Sequence, residues 1–203
     1  QIKENEMKKL LFLILPIFLM VGCSSSPTFS ISPIGDKFTN PNQPKGFVGD
    51  GNRLSNKSSM GGVHIDKKGV YINPYVFKND GGEIVKLGFS VTHMNFEYKD
   101  LFRPIQSIVF LGENNQRVEI KCTPLDIDVD LGYYNPISND LQGTASEQSD
   151  CECDREKFET IISFTSMEAK INGGELSTIY EAEKVSQSFL TNLKSFYNQQ
   201  MNN

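Results

Sequence analysis

Between Glu83 and Leu131, apolar residues recur at every second position in several stretches: Val85, Leu87, Phe89 and Val91, then Val118, Ile120 and Cys122, then Leu125, Ile127, Val129 and Leu131. A strand turns successive side chains to opposite faces, whereas a helix needs apolar residues three and four apart. A chain with this much period-two patterning has to fold around a sheet with one packed face and one wet face. In the first stretch the apolar positions move, after Val91, to Met94, Phe96 and Tyr98. Such a change of parity needs an extra residue, so the spacing predicts a β-bulge or break near His93. Ile105 to Leu111 is a continuous apolar run, which reads as a central strand buried on both faces. Val70 to Phe77 is rich in β-branched and aromatic residues, but Pro74 removes a donor from its middle and predicts an edge or bulged strand. Asn79-Asp80-Gly81-Gly82, Gly112 to Gln116 and Asn172-Gly173-Gly174 supply turns. From Tyr133 to Asp150 polarity rises and the period disappears, which reads as a long surface loop.

Helical spacing enters only late in the chain. Asp154 is placed to cap a short helix whose Phe158, Ile161 and Ile162 fall on one side. After a hairpin of Met167, Ala169 and Ile171 with Leu176 to Ala182, Ser186 stands as an N-cap. Beyond it Phe189, Leu190, Leu193, Phe196 and Tyr197 form one apolar stripe, with Val185 positioned to staple onto Leu190. That stripe has to dock on something apolar. The fold class is therefore α+β: an antiparallel sheet of about five to seven strands, a short helix, and a C-terminal amphipathic helix packed on the sheet.

The N-terminal region reads as an address. Lys8 and Lys9 follow Met7, then come the twelve residues Leu10 to Val21, apolar but for Pro16, and then Gly22-Cys23. A basic start, a short apolar core and a small residue make the layout of a secretory signal peptide, with Met7 as its start. Twelve helical residues reach about 18 Å against a hydrocarbon core of about 30 Å, so the segment is expected to be cleaved rather than to span. Met20-Val21-Gly22-Cys23 resembles the lipobox of bacterial lipoproteins, and Ser24-Ser25-Ser26-Pro27 after it fits as well. The resemblance implies cleavage between Gly22 and Cys23, a diacylglycerol on the Cys23 thiol and an N-acyl chain such as palmitate on the new amino terminus. It also implies attachment to the cell envelope, at the outer membrane in a Gram-negative host, because Ser24 stands where an Asp would favour inner-membrane retention. Several acyl chains hold a protein stably where one is marginal.

Residues 24–62 are more than half Ser, Pro, Gly and Asn with no apolar period, which is linker composition. The expected organisation is thus 1–22 signal peptide, 23–62 lipidated N-terminus and flexible linker, and 63–203 one globular domain. A lesser expectation is that Phe29, Ile31, Ile34, Phe38 and Phe47 dock on that domain. Residues 1–22 carry three Lys and two Glu, so their removal takes the net charge from −5 to −6. An acidic domain offers no cationic surface for phosphates, and nucleic acid is not an expected partner.

With Cys23 committed to lipid, Cys122, Cys151 and Cys153 remain. Exported proteins favour disulfides, and a bridge from Cys122 to Cys151 or Cys153 would close a loop of about 30 residues. A Cys151 to Cys153 bridge would be a small, easily reduced ring and hence redox-active. A soft-metal site could combine the thiols with His93 or His64. Asp126, Asp128 and Asp130 are weak candidates for a cation, since Gly132 falls at the seventh position of a calcium loop and Ile137, not Glu, at the twelfth. No phosphate loop, nucleophile elbow or His-Glu-x-x-His is present, and no cofactor beyond the acyl chains is expected. The leading expectation is a lipid-anchored envelope protein with a noncatalytic binding, structural or accessory domain. The alternatives are a periplasmic redox or metal-handling protein using Cys122, Cys151 and Cys153, and an inhibitor or immunity-type protein that binds an envelope enzyme.

Overall fold

A computed structural model of the protein describes residues 28–35, 43–55, 69–95, 98–135 and 140–202, with the backbone alone for 131–135 and 140–142. The segment expected to be a signal peptide with a lipobox, Phe38 and His64 lie outside the described residues. Among the described residues ten strands form two antiparallel sheets, accompanied by two α-helices, so the fold is α+β. The six-stranded sheet holds β1 (Ser30–Ile34), β2 (Lys45–Asp50), β3 (Gly69–Lys78), β4 (Ile84–Asn95), β8 (Asp140–Glu152) and β7 (Thr123–Asn135), in that spatial order. The four-stranded sheet runs β10 (Ser177–Tyr180), β9 (Met167–Gly173), β5 (Ile105–Gly112) and β6 (Arg117–Lys121). Helix α1 (Arg155–Ser163) joins β8 to β9, and α2 (Gln187–Gln200) follows β10.

The inner faces of both sheets and the two helices enclose one core. Phe89 of β4 stacks on Phe158 of α1 with centroids 5.3 Å apart and lies 6.3 Å from Phe110 of β5, which in turn meets Phe189 of α2. Leu87, Phe89 and Val91 of β4 and Val118 and Ile120 of β6 point inward as their period requires, and Ile108 and Phe110 of β5 are buried with them. Asp154 caps α1 by accepting from the Lys157 N–H. Ser186 is the N-cap of α2, but its hydroxyl pairs with that of Ser188 rather than with the helix backbone. Phe189, Leu193 and Phe196 carry the buried stripe of α2.

Several expectations need correction. Residues 30–34 and 45–50, read as flexible linker, are paired strands, and Leu54 is fully buried, so the folded unit begins before residue 63. Phe29, Ile31 and Phe47 pack on the core, whereas Ile34 stays exposed. The composition misleads because the stretch supplies few core side chains and gains its order from backbone ladders. No register shift occurs at His93; β4 keeps one buried parity through Val91, His93 and Asn95, and the irregularity lies at Phe77/Lys78, beside an exposed Val85. Hydropathy points to Met94 instead because the residues buried here, His93 and Asn95, are polar. Strand β3 is internal, and Pro74 is tolerated there for a local reason. The Ile72 N–H donates toward Asn52, so the nitrogen two residues on faces the same side, where the β2 ladder has ended at the Val48–Tyr75 pair. Strand β5 is central but buried on one face only, with Val109 and Leu111 half-exposed. The predicted loop from Tyr133 to Asp150 contains most of β8, an internal strand paired with both β4 and β7.

Candidate functional site

The cysteines form the first candidate cluster. Chain crossing from β6 to β7 brings Cys122 beside Cys151 at the end of β8, and the two are joined in a disulfide. The bridge lies next to the Thr123–Asp150 pair, so it fastens the base of the β7–β8 hairpin. Cys153 is free and half-buried, and burial, with the Asp154 charge adding to it, pushes its thiol up to about 12. Almost no thiolate exists there near neutral pH, which removes the nucleophile that disulfide exchange needs. The Cys151–Cys153 ring is not formed.

Cys153 opens on a cleft of about 440 Å³ lined also by Lys78, Lys86 and Arg155. Lys86 and Arg155 are already engaged. Lys86 donates to Asp150 at 2.6 Å and lies 2.9 Å from Glu152, and Asp150 above all holds the ammonium well above its usual range. Burial pushes the nearby Tyr75 hydroxyl up in the same way, so it stays protonated. Arg155 pairs with Glu159 at 2.7 Å.

His93 belongs to a second cluster, and its decisive partner is a residue with no signature in the sequence. Glu147, 1% exposed, stands directly across the ladder from His93. It accepts from the Phe102 N–H at 2.6 Å and the Arg103 N–H at 3.0 Å, and lies 3.1 Å from His93 Nδ1. The His93 ring also rests on Phe102, centroids 4.6 Å apart. This carboxylate ties the link between β4 and β5 to the six-stranded sheet; all the contacts in the cluster are internal, so it reads as a structural latch. Ala145, Glu147, Ser149 and Cys151 form the buried row of β8. Period two is present there, but small and polar residues fill both rows, so no hydrophobic contrast marks the strand.

Asp126, Asp128 and Asp130 lie on β7, opposite Gln148, Ser146 and Thr144. Among the described residues no three His, Cys, Asp or Glu side chains are grouped as a metal would need. The apolar row of β7 departs further from expectation. Leu125, Ile127 and Val129 are 61%, 38% and 43% exposed, although a packed face was predicted. Ile127 faces Glu147 and Val129 faces Ala145 across the ladder, so both project on the core side of the sheet, beyond the reach of what covers it. Strand β7 ends the sheet, and among the described residues no strand pairs with its outer edge. This overhanging arm is the candidate interaction surface.

Compared with protein-family models, curated proteins and solved structures, the chain matches none. Among the described residues no helix is long and apolar enough to cross a membrane.

Proposed function

We propose that the protein is an exported, lipid-anchored protein of the bacterial cell envelope whose folded part is a noncatalytic binding or accessory domain, with the β7 arm as its contact face. The observation that carries the binding role is the uncovered row Leu125, Ile127 and Val129 on a terminal strand. A contiguous apolar row left on an unpaired edge is a liability unless something covers it. The Met7 to Cys23 layout supports the anchor, and the Cys122–Cys151 disulfide agrees with an oxidising compartment. A redox role for the cysteines gains no support from a free thiol held near 12.

The test uses the full chain in a bacterial host. A photo-crosslinking residue at position 127 should give a discrete adduct with an envelope component, while one at the exposed Ile179 on β10 should not. Equal labelling from both positions, or none from 127, overturns the contact face. Cys23→Ala should release the protein from the membrane fraction, and an acylated, membrane-bound variant would sink the anchor.

A further inference from the structure

We infer that the outer edge of β7 accepts an extended partner segment that alternates Lys or Arg with apolar residues, added as a seventh strand of the larger sheet. The inference rests on the binding role proposed for the arm and names the partner's chemistry. Three observations meet on one short stretch. The ladder to β8 is regular from Asp126 to Asp130, between register shifts at Pro124/Asp126 and Asp130/Tyr133. On that stretch the backbone groups directed away from β8 have no strand partner among the described residues. The side chains sort into two rows, Asp126 and Asp128 on one face and Ile127 and Val129 on the other.

These rows choose the occupant. Directly opposed residues of neighbouring strands share a face, so an added strand is read by both rows at once. A second copy of β7 would either set aspartate against aspartate or, slipped by one residue, set aspartate against Ile127 and Val129 and leave the apolar rows apart. Like charges placed directly opposite are unfavourable. An acidic strand is rejected for the same reason, and a uniformly basic one leaves the apolar row wet. Only alternation of cationic and apolar residues pairs the acidic row and covers Ile127 and Val129 together, which is strand addition with side-chain specificity.

The probe is a labelled nine-residue peptide, Lys-Val-Lys-Val-Thr-Val-Lys-Val-Lys, titrated with the disulfide-bonded full chain and followed by fluorescence anisotropy. Saturable binding is expected, weakened at least tenfold by Ile127→Glu and several-fold by the shape-preserving double change Asp126→Asn with Asp128→Asn. Methylating the amides of the Lys positions or those of the Val positions blocks opposite edges of the peptide. One set should abolish binding and the other spare it. Equal tolerance of both, equal affinity for a scrambled peptide, or equal affinity for a Glu-Val peptide overturns the inference. A concentration-dependent dimer that Ile127→Glu dissolves would assign the edge to a second copy and also overturn it. An adduct from position 127 without peptide binding leaves the binding role standing and removes only this partner class, whereas loss of both removes the role itself.

Discussion

Glu147 shows how one side chain can decide a local structure without leaving a trace in the sequence pattern. Its carboxylate is sealed from water, and two backbone N–H groups of the β4–β5 link depend on it. A buried donor left without an acceptor costs about 1–3 kcal/mol. Glu147→Ala strands two such donors and removes the partner of His93, so the free energy of unfolding should fall by about 3 kcal/mol or more in urea titration. Glu147→Gln keeps one acceptor and should lose less. A Glu147→Ala protein within about 1 kcal/mol of the parent would mean that the link reorganises freely. The buried parity of β4 is hidden from hydropathy because Asn95 and His93 count as surface residues, and only a partner 54 positions away makes burial tolerable for the histidine.

At the scale of elements, the strands that were legible are those whose two rows differ in polarity. Val118 and Ile120 against Arg117, Glu119 and Lys121 make β6 plain from the residues, and the Phe189, Leu193 and Phe196 stripe does the same for α2. Strand β8 lacks that contrast, and in β1 Ile31 and Ile34 fall three apart rather than two, so both depend on neighbours to be strands at all. The β7–β8 hairpin is held at its base by the Cys122–Cys151 bridge, which closes a loop with a sequence separation of 29. In the chain-entropy account such a bridge adds about 3–4 kcal/mol. Replacing both cysteines by Ala should lower stability by that order and speed amide exchange over 123–150 more than over β5 and β9. A loss below about 1 kcal/mol, or uniform exchange, would show that the ladders alone fix the arm.

For the whole molecule, the boundary of the folded unit matters most. Leu54 is fully buried, its carbonyl accepts from the Ser186 N–H, and Asn52 donates to the Ile72 carbonyl while accepting from Asn192 of α2. Segment 45–55 thus joins the six-stranded sheet to the C-terminal helix. A chain beginning at residue 63 should be less stable than one beginning at residue 24 by more than about 3 kcal/mol, since loss of one buried Leu alone costs 2–5 kcal/mol. Equal denaturation midpoints would return this segment to the status of a linker.

By itself the sequence determined the class of fold, the inward row of β6 and the Leu87, Phe89 and Val91 part of the row of β4, both helices with their cap positions, and the small set of thiols from which the bridge formed. Those features are local, because the period of a side-chain row and the chemistry of a cap are written in neighbouring residues. Tertiary structure alone decided the rest: that a Ser/Pro/Gly-rich stretch is two strands, that a polar stretch is an internal strand, that Glu147 lies in the core, and that the regular apolar row of β7 is left outside it. Burial depends on what arrives from elsewhere in the chain, so the same alternation of Asp with Ile and Val is a packed strand under cover and an open edge where the cover ends.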